Sequence, residues 1–300
     1  MMFWKKKKKE NTVYTAKNIL HAVPGIKVVI KTDLGNVRTN NEDAASFFRV
    51  ENMLQEKGCL LIVADGMGGH KAGEVASKMA VDIISREYFK QNNGDDKEKI
   101  LSKAFNSANK KIYELSAADE TYRGMGTTCT AIVIAGQAVY YAHAGDSRAY
   151  LYKDKKIVRL TEDHTYVQEL VKNGDITAEE ADTHPQRNVL TNAMGTKPAL
   201  RVDTGKSALL LDKNDKVLIC SDGLYDYLDN DELAEVLGYE SLEQAADYLI
   251  AEAKRRGGKD NITVALAAHT AAVKEAVLKL TRDIDLPKLT RDADLPNTLT

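Results

Sequence analysis

The chain contains few cysteines, few prolines and no long hydrophobic run: three of its 300 residues are cysteine and five are proline. The cysteines lie in apolar stretches without CxxC spacing, so we expect reduced core thiols and no disulfide framework. The six histidines form no HxH or HExxH pair, which argues against zinc. No segment is long and apolar enough to cross a membrane, and the start MMFW is too short for a signal peptide. These absences predict a soluble cytoplasmic protein.

Charge of one sign is also not in excess. The 42 basic and 44 acidic residues leave a net charge of -2, so composition gives no reason to expect a nucleic-acid partner. Apolar residues, in contrast, are plentiful. They make up 43% of the chain, which is enough for a substantial core in one large domain or two small ones.

The start of the chain differs in composition from the middle. Residues 1–25 include five consecutive lysines, Lys5–Lys9, and are predicted to form a basic flexible arm. The alternative for this arm is a weak contact with an anionic membrane surface, in which Phe3 and Trp4 enter the interface.

The end of the chain repeats a short charged motif. LTRDIDLP returns as LTRDADLP within residues 270–300, and a segment this short and charged is predicted to be a flexible tail. The alternative is a docking or phosphorylatable tail that uses Thr281 and Thr290. Between the arm and the tail, residues 26–269 form the predicted folded domain.

The middle of the chain mixes strands with paired helices. Apolar residues at helical spacing predict one helix pair within 72–115 and a second over 231–237 and 242–256. The strand candidates are 26–32, 44–50, 59–64, 127–135, 138–144, 147–153, 200–204, 208–211, 216–220 and 261–268. Because strands and helices do not alternate singly, the order predicts an α+β fold. We expect a central antiparallel β-sandwich with a helix pair on each face (four layers, α-β-β-α) and a flap insertion near 160–195.

Three apolar runs end in an aspartate. Asp65 ends CLLIVAD, Asp222 follows KVLICS, and Asp146 follows AVYYAHAG. Carboxylates are almost never fully buried unless they are paired or hold a metal, because removing the charge from water is costly. Three of them at the ends of core strands therefore suggest a shared cation.

Further acids occur at strand ends, namely Glu42, Asp43 and Asp260. Oxygen ligands of this kind suit magnesium or manganese rather than zinc or copper. Gly66 lets the chain turn at once, so that a backbone carbonyl can approach the ion. Arg38 precedes Glu42 by four residues and has donors for two phosphate oxygens, although spacing alone equally fits a surface arginine.

Eight motifs in order resemble the bacterial form of the metal-dependent type 2C serine/threonine protein phosphatases. They are RTNNEDA, VADGMGGHKAGEVAS, GMGTTCTA, AHAGDSRAYL, LTEDHT, NVLTNAMG, LICSDGLYD and KDNITV. The resemblance spans about residues 27–267 and implies the same sandwich fold. It implies hydrolysis of phosphoserine and phosphothreonine in proteins by a water that bridges two metal ions, without a phosphoenzyme.

The resemblance also implies a role for each acid. Asp65 would bridge two manganese or magnesium ions, helped by the Gly66 carbonyl. Asp222 and Asp260 would bind one ion, and Glu42 and Asp43 would complete the site directly or through waters. Asp146 matches an aspartate associated with a third, weaker ion. Arg38 would bind the substrate phosphate, which makes Arg38 and Asp65 the expected catalytic residues.

The chain departs from some family members at one position. Met67 stands where those members have a histidine that protonates the leaving group. No general acid is therefore assigned, and His70, His164 and His184 are read as structural or flap residues. Ser147 and Ser221 lack the surroundings of a nucleophile, and Cys220 lacks a phosphate-binding arginine loop.

Two other functions remain as alternatives. The first is a catalytically silent regulatory binding module with the phosphatase fold, which the complete set of acids disfavours. The second is a different two-metal hydrolase such as a nuclease, which the absence of a basic groove and the motif order disfavour. The expected partners are phosphorylated protein substrates and a cognate serine/threonine kinase, and the expected state is a monomer.

Overall fold

The computed structural model describes residues 14–15, 19–23, 25–49, 57–68, 72–91 and 96–269. Most of the predicted arm and the whole predicted tail lie outside the described residues, and so does His70. The flexible arm, the membrane contact and the docking tail therefore stay predictions. No helix of the described part is long and apolar enough to span a membrane.

The predicted arm extends too far toward the middle of the chain. Two short strands, β1 (Tyr14–Thr15) and β2 (Ile19–Val23), lie within residues 1–25. β2 pairs with the strand that begins at Ile26, and Ile19 lies opposite Ile30. This pairing satisfies backbone groups that an edge strand would otherwise leave free, so the sheet begins before residue 26.

Two antiparallel sheets form the centre of the protein. Along the chain, the remaining strands are β3 (Ile26–Asp33), β4 (Asp43–Arg49), β5 (Cys59–Met67), β6 (Gly126–Thr127), β7 (Cys129–Ala135), β8 (Ala138–Ala144), β9 (Arg148–Lys153), β10 (Lys156–Arg159), β11 (Asp203–Lys206), β12 (Lys216–Cys220) and β13 (Ile262–His269). The first sheet has the order β1-β4-β5-β7-β8-β11, with β6 attached to β5, and the second has the order β10-β9-β12-β13-β3-β2. The prediction of an α+β fold with two antiparallel sheets is confirmed.

One predicted strand is wrong. Residues 208–211 form an irregular segment between β11 and β12, and β11 itself begins at Asp203 rather than at residue 200. Leu209 and Leu210 are exposed while Leu211 is buried, and Leu211 N–H donates to the Gln137 carbonyl at 2.8 Å. Of the three leucines, therefore, only Leu211 joins the core, and none of them belongs to a strand.

Alternate side chains of β5 point to two different apolar clusters. Leu61 and Val63 pack with Val217 and Ile219 of the second sheet. Leu60 and Ile62 pack instead against the helices α1 (Ala72–Lys90) and α2 (Lys97–Ala118). This period of two is what a strand buried on both faces requires.

The second sheet is covered by another group of helices. They are α5 (Asp222–Tyr225), α6 (Asn230–Leu237) and α7 (Leu242–Arg256). Leu218 and Leu266 of the sheet pack in one cluster with Leu233 and Leu249 of the helices. Both outer sheet faces thus exclude water, and the polar side chains concentrate where the strands end.

The flap, residues 160–195, contains α3 (Tyr166–Asn173) and α4 (Ala178–Thr183). At the last residue of the flap and just after it, the chain is attached to α2 by the buried amide of Asn109. Asn109 Oδ1 accepts the Gly195 N–H at 2.7 Å, and Nδ2 donates to the Lys197 and Pro198 carbonyls at 3.1 Å each.

Replacement of Asn109 by alanine should destabilise the protein by roughly 2–4 kcal/mol, because a buried N–H loses its acceptor and two further hydrogen bonds are lost. Asn106→Ala is the matched control, since Asn106 is exposed on the same helix and donates only to Ser102. Its effect should stay within about 0.5 kcal/mol. Urea unfolding checks both variants, and equal stability of the two would contradict the anchoring role.

Candidate metal centre

Strand ends bring the predicted acids to one edge of the sandwich. Asp43 at the start of β4 lies directly opposite Asp65 near the end of β5. Asp222 begins α5 just after β12, and Asp260 lies just before β13. Because β12 and β13 are antiparallel neighbours, the end of one lies beside the start of the other. The two sheets therefore both contribute acids to the same edge.

An open cleft of about 480 Å³ lies at this edge. Seven of the eight predicted site residues line it: Arg38, Glu42, Asp65, Gly66, Asp146, Asp222 and Asp260. Asp43 is not among the lining residues and is buried, with 7% of its surface exposed. The structure thus gathers the predicted set at one place, with Asp43 beneath the surface of the cleft.

The acids in the cleft repel one another. Burial, together with the charges of Asp43, Asp222, Asp146 and Asp260, raises the pKa of Asp65 well above its ordinary value. Burial and nearby aspartates also raise the pKa of Asp222. Because these aspartates shift each other's pKa values, they titrate as a coupled group and not independently.

Asp43 and Asp146 show smaller shifts in the same direction. Burial, with a contribution from the charge of Asp260, raises the pKa of Asp43 to about 6, although a hydrogen bond from Ser221 opposes the change. The Ser221 hydroxyl donates to Asp43 Oδ2 at 2.9 Å. Burial and the charge of Asp163 raise the pKa of Asp146 to about 7.

Arg38 faces this negative charge from the loop between β3 and β4. Its Nη2 donates to Asp260 Oδ2 at 2.6 Å. That hydrogen bond raises the pKa of Arg38, and the charges of Asp260, Glu42 and Asp65 add to the effect. The guanidinium remains exposed, with 51% of its side-chain surface accessible, so some of its donors can still reach a ligand in the cleft.

Sequence reasoning missed Asn261, which follows Asp260 in the KDNITV motif. Asn261 is buried and makes three hydrogen bonds to the loop that carries Arg38. Its Nδ2 donates to the carbonyls of Leu34 and Asn40 at 3.0 Å each, and its Oδ1 accepts the Glu42 N–H at 2.8 Å. One side chain therefore fixes the loop on both sides of Arg38.

Thr128 is a second residue that sequence reasoning missed. Asp65 N–H donates to Thr128 Oγ1 at 3.1 Å, and Thr128 N–H donates to the Asp65 carbonyl at 2.8 Å. Thr128 Oγ1 also shares a hydrogen bond of 2.7 Å with Ser147 Oγ. The two hydroxyls thus link the Asp65 backbone to the turn that carries Asp146, and the position of Thr128 in GMGTTCTA was the available signal.

Gly66 is a position in the site where any side chain would collide with backbone. An added Cβ would lie 2.1 Å from the Gly73 carbonyl oxygen and 2.7 Å from that of Glu42. Gly66 N–H donates to the same Glu42 carbonyl at 3.2 Å. The close approach of β5, the Glu42 loop and α1 therefore requires glycine here.

The donor chemistry of the cleft fits a hard divalent cation. Asp43 Oδ1 and Asp222 Oδ1 are buried without a hydrogen-bond partner, and a buried carboxylate oxygen without a partner is costly. Carboxylate and carbonyl oxygens are the ligands that magnesium and manganese prefer. Within the described ranges, no three His, Cys, Asp or Glu side chains are already placed to hold a metal ion together. The fit therefore lies in the type and charge of the donors that line the cleft.

The two serines, the cysteine and the flap histidine considered from the sequence have the surroundings of structural residues. Ser221 donates to Asp43, and the Ser147 hydroxyl is bonded to Thr128. Cys220 is buried as a free thiol, and burial raises its pKa to about 12. His184 ends α4 in the flap, where its Nδ1 accepts the Gln186 N–H at 3.1 Å.

Known proteins resemble this chain over most of its length. A putative protein phosphatase 2C-type from Streptococcus pyogenes is 41% identical over 245 residues, which cover 80% of this chain and 96% of the relative. The S. agalactiae serine/threonine phosphatase structure matches with a TM-score of 0.74 and 38% identity, over 81% of this chain and 99% of that one. The catalytic domain of PstP, solved in complex with two manganese ions, matches with a TM-score of 0.69 and 34% identity, over 82% and 99%.

A family model agrees with these individual matches. The model described as protein phosphatase 2C matches residues 36–264. That range begins just before Arg38 and ends within β13, so it includes every acid of the cleft. The chain belongs to the protein phosphatase 2C family.

Proposed function

We propose that this protein is a metal-dependent phosphatase that removes phosphate from phosphoserine and phosphothreonine side chains of proteins. The observation that carries the proposal is the set of acids that line one cleft, with two buried carboxylate oxygens that lack partners and an exposed arginine beside them. Such a cleft can hold cations and a phosphoryl group together. The names and structures of the relatives support the same activity.

The residues proposed to hold two manganese or magnesium ions are Glu42, Asp43, Asp65, the Gly66 carbonyl, Asp222 and Asp260, with Asp146 for a third ion. Asp65 interacts electrostatically with four other aspartates, which supports a role for Asp65 in holding both ions. When bound, divalent ions supply an activated water and neutralise charge on the phosphoryl group.

The protein's own residues position the substrate. Arg38 presents a planar set of donors that matches two phosphate oxygens, and Asn261 keeps its loop in place. Orientation of this kind lowers the barrier because the reacting groups are already aligned. No nucleophilic side chain is required, and hydrolysis proceeds without a phosphoenzyme in this proposal.

The substrates proposed here are proteins phosphorylated by a serine/threonine kinase. Each chain carries the full acid set in one cleft, which supports a monomer as the active form. Residues 26–269 are proposed to form the catalytic domain, extended by β1 and β2. The basic arm and the repeat-containing tail are proposed to lie outside the catalytic core.

Removal of metal should abolish activity. With manganese, the protein should hydrolyse a phosphothreonine peptide, and an excess of EDTA should stop the reaction. Asp222→Asn should lower kcat by at least about 100-fold, because charge stabilisation in the cleft is lost. Asp247→Asn, which removes an exposed acid paired with Lys31, is the control and should retain activity. Activity that persists in EDTA would contradict the metal mechanism, and an inactive wild type that binds metal would favour the binding module.

Arg38→Ala should weaken phosphate binding rather than metal binding. We expect kcat/KM for the peptide to fall by about 100-fold and inhibition by inorganic phosphate to weaken, with manganese affinity nearly unchanged. Arg86→Ala, on the exposed face of α1, is the control. A loss of manganese binding equal to the loss of kcat/KM would assign Arg38 to the metal site instead.

The metal-free protein should become more stable as the pH falls from 8 toward 5. The pKa values of Asp43 and Asp146 are raised to about 6 and about 7 in the folded state. The folded state therefore binds more protons than the unfolded state, so stability is lost as the pH rises through these values. Thermal unfolding in EDTA should show this slope, and Asp43→Asn should flatten it. A melting temperature that rises from pH 5 to 8 would contradict the expected sign.

A further inference from the structure

His164 lies where the chain enters the flap, and its role is unassigned. Its carbonyl accepts the Thr191 N–H at 2.9 Å, and Tyr166 N–H donates to the Val189 carbonyl at 2.8 Å. The outgoing and returning segments thus close the base of the flap. The His164 imidazole is buried, with none of its side-chain surface accessible.

The hydrogen bonds of His164 fix which ring nitrogen carries the proton. Nδ1 lies 3.1 Å from the Gly145 backbone N–H, which can only donate. It also lies 2.8 Å from Asn192 Nδ2, whose orientation is set because Asn192 Oδ1 accepts the Arg201 N–H. Nδ1 is therefore an acceptor for two donors, and the proton sits on Nε2.

Asp203 of β11 holds the other side of the ring. His164 Nε2 donates to Asp203 Oδ2 at 2.9 Å, a carboxylate–histidine arrangement that fixes both tautomer and ring orientation. Burial lowers the pKa of His164, and the hydrogen bond to Asp203 only partly opposes this. The charge of Arg201 also lowers the pKa of His164, and the buried ring of His143 packs beside it with a centroid distance of 4.8 Å.

The group that His164 holds is the turn before Asp146. Gly145 has a φ of +115°, and an added Cβ would lie 2.5 Å from Thr128 Cβ. Besides the contact at Nδ1, the His164 N–H donates to the Gly145 carbonyl at 2.7 Å. His164 therefore binds both polar backbone groups of Gly145, directly before a carboxylate that lines the cleft.

We propose that His164 and Asp203 are positioning residues that hold the Gly145–Asp146 turn against the base of the flap, in the place that Asp146 needs to bind a divalent cation. The inference deepens the proposed function and rests on it for the meaning of the Asp146 site. Neither His164 nor Asp203 lines the cleft, so both act through the turn. Asn192, which lies on the returning segment of the flap, donates to the same His164 ring.

Two substitutions of His164 separate the Nδ1 contact from the Nε2 contact. Asparagine places an acceptor near the position of Nδ1, where it can still receive the Gly145 N–H, but it cannot reach Asp203. Glutamine places its amide near the position of Nε2 and leaves the Gly145 N–H without an acceptor. Asp203→Ala keeps the imidazole but releases its orientation.

The test is manganese binding to the full chain, measured from the electron paramagnetic resonance signal of free Mn²⁺. Asp146→Asn identifies the binding step that depends on this carboxylate. His164→Gln and Asp203→Ala should weaken that step by about 10-fold or more, as loss of residues that orient ligands commonly does. His164→Asn should stay within about 3-fold of wild type, because it restores the acceptor. His164→Gln should add nothing further to Asp146→Asn, since both act on one group.

Tyr88→Phe controls for general destabilisation. It removes a buried hydrogen bond of 2.7 Å to the Lys57 carbonyl, on α1 and outside the turn, and should leave manganese binding unchanged. The proposal is overturned if His164→Asn and His164→Gln weaken binding equally, if the effects of His164→Gln and Asp146→Asn are additive, or if Asp146→Asn leaves binding unaltered. Absence of phosphatase activity in the wild type would instead overturn the proposed function, because the binding comparison does not depend on turnover.

Discussion

Repulsion among buried carboxylates is the constraint on which the rest of this structure depends. Asp65 and Asp222 have pKa values raised by burial and by the charges of other aspartates around the same cleft. A protein gains nothing in stability from such an arrangement without compensating positive charge. Arg38 supplies one positive group, through Asp260. Arg148 lowers the pKa of Asp146 in the same way. Bound cations would supply further compensation, which agrees with the metal dependence of the family.

The scaffold that resists this repulsion is built from both sheets. Ser221, between β12 and α5, donates to Asp43 of β4 and accepts the Thr263 N–H of β13 at 3.0 Å. Asn261 joins the start of β13 to the Arg38 loop. Large apolar clusters on both faces of each sheet hold the strands from which these residues project. The polar edge is thus supported by hydrophobic burial, which supplies most of the stability of the fold.

The flap is attached to the rest of the protein at both of its ends. His164 connects its start to the Gly145–Asp146 turn, and Asn109 connects the segment after it to α2. Away from these ends, Arg187 in the flap forms an ion pair of 2.8 Å with Asp226 after α5. Exposed ion pairs contribute little to stability, whereas buried hydrogen bonds are costly to break. The two ends are therefore fixed more firmly than the part between them.

The sequence by itself determined which segments form strands or helices and which acids stand at the strand ends. These features are local patterns: the periodicity of apolar residues, and an aspartate directly after an apolar run. Those patterns predicted the two antiparallel sheets, and the ordered motifs predicted the family; the strand at 208–211 was wrong because three leucines in a row resemble a core strand. Only the tertiary structure decided which polar residues support the acids. Ser221 reaches Asp43 across 178 positions and Asn261 reaches Glu42 across 219. Hydrogen bonds between positions so far apart leave no local pattern, and they exist only once the two sheets have packed.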